Sequence, residues 1–132
     1  MKMTALTGIS GAVLNELKMG KPRTLELQSA HNVISIASLE AGPDTYLFLT
    51  NVDLEDLSPG DVGIIVRVLS VSVSMKRVVD YIHPVYYEER ERLTARTQLR
   101  YCANSMVKTV RTGTICEPVT VEVVKAAHYR AI

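Results

Sequence analysis

Four arginines at even positions, Arg90, Arg92, Arg96 and Arg100, with Thr94 and Gln98 between them, form the clearest chemical pattern in this sequence. On an extended strand alternate side chains share a face and recur about every 6 to 7 Å, which matches successive phosphates along an extended nucleic-acid strand. Guanidinium groups in such a row hold a phosphate backbone by forked hydrogen bonds, and Tyr86 and Tyr87 at its mouth would stack on an unpaired base. The competing reading is a solvated strand face whose charge Glu88, Glu89 and Glu91 cancel. A second group follows Gly20. Lys21 and Arg23 add two cations, and Thr24 and Glu26 share a strand face. Lys21 and Arg23 would hold a phosphate, and Thr24 and Glu26 would read polar edges of a ligand. The competing reading there is a solvated turn followed by an outward strand face.

Other polar residues carry less. Gly8 and Gly11 beside Ser10 would offer backbone amides to a phosphate at a helix start. His31, His83 and His128 lack the spacing of a metal site, so no metal is expected, and no cofactor motif is present. Cys102 and Cys116 read as two buried free thiols in a reducing cytoplasm.

The elements that must position these residues are short and mostly extended. A strand at 3–6 precedes a helix at 11–18, capped by Ser10, with Val13, Leu14 and Leu17 at helical spacing. Pro22 releases a strand at 23–28, polar at Thr24, Glu26 and Gln28 and apolar at Leu25 and Leu27. Residues 32–39 predict a short helix capped at Asn32; 44–50 a strand; 53–57 a helical turn; and Ser58-Pro59-Gly60-Asp61 a tight turn. From 62 to 82 the chain reads as strand, divided by a bend or bulge, and 86–101 as another, over a competing helical reading of 87–96, with Leu93, Leu99 and Tyr101 facing inward. A last strand at 119–123 leads into a frayed or helical tail at 125–132. The expected architecture is one domain over 1–132, mainly β within the α+β class. It is a small mixed β-barrel with two short helices near the N-terminus.

Composition narrows the function. Of 132 residues 47% are hydrophobic, enough for a core without disulfides, and the net charge of +1 supplies no global basic field for nucleic acid. No apolar run approaches the roughly 20 residues of a membrane span, and the first residues lack the design of a secretory signal, so a cytoplasmic protein is expected.

The segment Gly20-Lys21-Pro22-Arg23-Thr24, placed after a helix and opening a strand that bears an acid, resembles the start of the ASCH domains of the PUA-like barrel superfamily. Leu57-Ser58-Pro59-Gly60-Asp61 and the following Gly63-Ile64-Ile65-Val66-Arg67-Val68 are similar to the loop and strand those barrels place next, so the resemblance spans about 8–70. It implies a PUA-like barrel whose cleft, between the early helix and the strand behind it, binds RNA or a modified nucleoside. Some members are amidohydrolases of acetylated cytidine that use a Lys, a Thr and a Glu. Lys21 and Thr24 match the first two; Glu26 is a nearby acid, whereas the family's glutamate comes from a later strand. The whole chain, through Arg23-Thr24-Leu25-Glu26-Leu27-Gln28-Ser29-Ala30, Phe48-Leu49-Thr50 and Tyr86-Tyr87-Glu88-Glu89-Arg90-Glu91, also resembles an archaeal family of small proteins known only as a domain of unknown function.

The leading expectation is therefore an RNA- or nucleotide-binding module without catalysis. Lys21, Arg23, Arg90, Arg92, Arg96 and Arg100 hold phosphates, Tyr86 or Tyr87 stacks on a base, and Thr24 and Glu26 read polar edges. The alternatives are an amidohydrolase built on Lys21, Thr24 and a carboxylate, and a protein-interaction subunit, including a homo-oligomer, that pairs through an exposed strand edge.

Overall fold

Aliphatic and β-branched residues dominate the chain after position 60, and its two longest strands lie there. The structure, a computed structural model, describes residues 1–39, 44–83, 86–111 and 118–125, with 76–83, 86–92 and 125 described by their backbone alone. The elements are β1 (Lys2–Leu6), α1 (Gly11–Lys18), β2 (Arg23–Leu27), α2 (Ala30–Ala37), β3 (Tyr46–Leu49), a 3-10 turn (Leu54–Asp56), β4 (Val62–His83), β5 (Tyr86–Arg111) and β6 (Thr120–Lys125).

The strands lie in the order β2-β5-β4-β3-β1-β6, and β6 pairs again with β5. That second pairing closes β5, β4, β3, β1 and β6 into a ring, with β2 attached outside it. Among the described residues only β1 with β3 runs parallel; the other pairs are antiparallel. The expected mainly-β architecture with two early helices is what forms, and the ring is barrel-like.

The sheet is buried on both faces, which explains the apolar run through 64–68. Leu47, Leu49, Ile64, Val66, Val68 and Leu99 face α1 and α2, where they meet Leu14, Leu17, Leu25, Leu27, Val33 and Ile36. The alternate residues Phe48 and Ile65 face the ring interior with Met3, Ala5, Val107, Val121 and Val123. Gly63 is needed at the seam, because a Cβ there would overlap the Leu49 carbonyl oxygen and the Phe48 ring.

Two bulges set which face each residue takes. Cys102 is the extra residue between the pairs Val66↔Tyr101 and Ile65↔Ala103, and Leu69 the extra residue between Val68↔Leu99 and Ser70↔Gln98. The bend expected in the long strand is thus at Leu69. It keeps Val66, Val68 and Val71 on the helix side even though the sequence parity changes.

Several expectations are corrected. α2 is capped by Ser29, whose hydroxyl accepts from the Asn32 amide at 3.3 Å, so Asn32 lies inside the helix rather than at its cap. β5 continues to Arg111 instead of ending at Tyr101. Leu99 is buried and Tyr101 half-buried as expected, but Leu93 is exposed. Cys102 is an exposed free thiol, not a buried one. Cys116, His128, the tail from 126 and the side chains of Tyr86, Tyr87, Arg90, Arg92 and His83 lie outside the described residues.

Candidate functional site

A cavity of about 520 Å³ opens between the start of α1, β2 and the start of α2. The chain geometry around residues 7–10 builds it. Gly8 takes φ +65, a left-handed turn that lets the chain leave β1 and enter α1 at once. Its amide donates to the Val52 carbonyl at 2.9 Å, that of Ile9 donates to Thr50 at 3.0 Å, and the Asn51 side-chain amide donates to the Ile9 carbonyl at 2.8 Å. These bonds hold the 50–53 segment alongside and bring Asp53 over Gly8, where a Cβ would stand 3.3 Å from Asp53 Oδ1.

On the other flank Asn32 clamps Thr7. Its Oδ1 accepts from the Thr7 amide at 3.2 Å, and its Nδ2 donates to the Thr7 carbonyl at 3.0 Å, so the side chain replaces a strand neighbour. The start of α2 is thereby fixed beside the start of α1. Both caps, Ser10 and Ser29, line the cavity. Ser10 makes no side-chain capping bond, whereas Ser29 caps α2 through the Asn32 amide, and neither helix has an acid in its first turn, so the first turn of α1 offers its amide N–H groups and positive end to a ligand.

The floor is apolar, from Ile9, Val13, Leu25, Leu27 and Leu54, and the rim carries Glu26, Gln28, His31 and Asp53. Burial lowers the His31 pKa and favours the neutral ring. Its Nε2 is buried without a hydrogen-bond partner among the described residues. A pocket of this size with an apolar floor and a few convergent polar groups is the usual form of a small-molecule site.

The residues singled out in the sequence fall around this cavity unevenly. Glu26 lines it; Lys21 and Thr24 do not, and both are exposed. Glu26 stands opposite Arg96 in the β2–β5 ladder, and the two form an exposed ion pair at 3.3 Å. Arg23 is paired with Glu16 of α1. Arg100 is exposed and stands opposite Arg67, whose Nε is buried without a partner among the described residues. The ladder sets Arg92 opposite Lys76 and Arg90 opposite Val78. The Gly8, Ser10 and Gly11 amides, a minor signal in the sequence, belong to the cavity's neighbourhood, whereas His31 was weighed only as a metal ligand, Asn32 only as a helix cap and Asp53 only as the start of a helical turn.

Among the described residues no group of three or more His, Cys, Asp or Glu is placed to hold a metal ion. No helix there is long and apolar enough to cross a membrane.

A family model described as "Protein of unknown function (DUF473)" matches residues 1–121. Among solved structures the chain is similar to the N-terminal domain of the Lon protease of the Mycobacterium avium complex, with a TM-score of 0.55 and 16% identity. That similarity covers 100% of this chain and 58% of the other, and at this identity it shows the fold alone. No curated protein matches the sequence.

Proposed function

The chain belongs to the DUF473 family of proteins of unknown function, and from that premise we propose that it binds RNA through one nucleotide seated in the cavity between α1, β2 and α2. The observation that carries this reading is the pairing of an apolar floor with two uncharged helix starts at the rim. A base lies on Ile9, Val13 and Leu25. Its phosphate takes the free amides of the first turn of α1, and Asp53 accepts from a ribose hydroxyl or an exocyclic amine.

The strand leads outward from Glu26 through Arg96 to Arg100 and Arg67. These guanidinium groups then carry the neighbouring phosphates, and Arg96 exchanges Glu26 for one of them. Lys21, Arg23, Arg90 and Arg92 extend the same path, with Tyr86 or Tyr87 stacking on a further base. The ASCH-like pattern over 8–70 supports the reading, since it implies a cleft between the early helix and the strand behind it. An archaeal source and a PUA-like barrel belong to the same proposal.

The test is a titration with a fluorescent mixed-sequence RNA at about 50 and 200 mM salt, where contacts to several phosphates cost affinity steeply. Micromolar or tighter, salt-sensitive binding is expected. Val13→Trp, which fills the cavity, should weaken it at least about tenfold, and Arg96→Ala with Arg100→Ala should flatten the salt slope by about one to two. Binding by Val13→Trp equal to that of the parent, or no binding by the parent at either salt, removes the reading.

A further inference from the structure

β4 and β5 remain paired as far as His83↔Tyr86, well past the point where either has another neighbour. β3 leaves β4 at Arg67 and β2 leaves β5 at Ala95. Residues 74–83 and 86–94 therefore form a two-stranded ribbon with both edges open among the described residues. At about 3.3 Å per residue it extends some 30 Å.

At the root of this ribbon one face is apolar and bare. Val73, Met75 and Leu93 are 42%, 58% and 49% exposed. The ladder pairs Met75 with Leu93 and Val73 with Ala95, which sets them in one row. Because of the Leu69 bulge the row continues the helix-side core through Val71, Ala95 and Leu99, past the helices that cover the rest. It shares no residue with the lining of the cavity.

A two-stranded ribbon is marginally stable alone, and open edges invite another strand. We infer that the ribbon is a dimerisation arm and that a second copy of this chain covers it. Three features select a copy. Among the described side chains the row carries no charge, and its next rung pairs Arg77 with Glu91, opposite charges, so a two-fold axis through it sets Met75 and Leu93 on the same residues of the other copy, a self-complementary contact. The ribbon offers about twenty residues, as many as one side of a standard interface uses, while the row alone is too small, so the arm is engaged along its length on the face of Met75 and Leu93, and Arg90 and Arg92 hold the alternate register positions. The net charge of +1 opposes association of copies very little.

Sedimentation and light scattering of the full chain from about 1 to 100 μM test this, a range that resolves micromolar dimers. The expected mass is twice that of the 14.6 kDa chain. Met75→Glu with Leu93→Glu should raise the dissociation constant at least about 100-fold and leave a monomer with unchanged near-ultraviolet dichroism. If that variant fails to fold, Met75→Cys in a Cys102→Ser, Cys116→Ser background should cross-link as a dimer with a short bismaleimide, whereas Glu122→Cys should not. A parent that is monomeric at the highest concentration overturns the inference, as does a dimer unaffected by the paired glutamates or a Met75→Cys chain that does not cross-link.

Discussion

His31 links protonation at the cavity to folding. Burial lowers its pKa, so the folded chain favours the neutral ring while the unfolded chain takes up a proton near the ordinary value of about 6.5. The unfolded state thus binds more protons as pH falls below that value, and the stability His31 contributes is lost down to its folded pKa. Thermal midpoints at pH 7.5 and 5 should therefore show a larger acid loss in the parent than in His31→Gln. A bound phosphate should raise the His31 pKa, as read by nuclear magnetic resonance. Gly63 predicts a different outcome: Gly63→Ala should cost about 3 kcal/mol in denaturant melts or prevent folding, because the methyl meets backbone and a buried ring. Of the cavity residues, the glycines and Ser10 were legible because helix starts have a local signature. Asn32 and Asp53 were not, because their partners, Thr7 and Gly8, are distant in the chain.

Parity decides much at the scale of elements. The even-numbered arginines were enough to reveal β5 as a strand, and Arg96 and Arg100 are exposed as that pattern requires. The strand's length was hidden by its own irregularities: bulges at Cys102 and Lys108 break the alternation twice, so 102–111 offered no clean period. Leu93 reads as core by parity and is bare because the last partner of β2 is Ala95, two residues away. α2 was displaced by two residues because Ser29 and Asn32 are both good caps, and Asn32 serves Thr7 instead. Replacing Cys102 by Ser should leave the thermal midpoint within about 1 kcal/mol of the parent, since the thiol is exposed. Deleting Cys102 should leave the chain folded in the same assay, since it removes only the extra residue and lets Val66↔Tyr101 and Ile65↔Ala103 follow one another with Leu99 still on the face of Val68.

The ring depends on the pairings of its last strand. β6 joins β1 to the far half of β5, and its Val121 and Val123 fill the interior with Met3 and Phe48. A chain ending at Arg111 should lose its near-ultraviolet dichroism and bind a hydrophobic dye, because β1 becomes an open edge over an uncovered core. The mainly-β class, the early helices and a barrel-like arrangement were readable from composition and punctuation, while the pairings that close the ring were not, since they rest on contacts between opposite ends of the chain. β5 is the member common to all of this. It pairs with β4 in the arm, with β2 beside the cavity and with β6 at the seam, as one unbroken strand of Tyr86–Arg111. The molecule is in mechanical terms a lever: the ribbon is the handle, the ring is the pivot, and a pull on the handle reaches the wall of the cavity through β2.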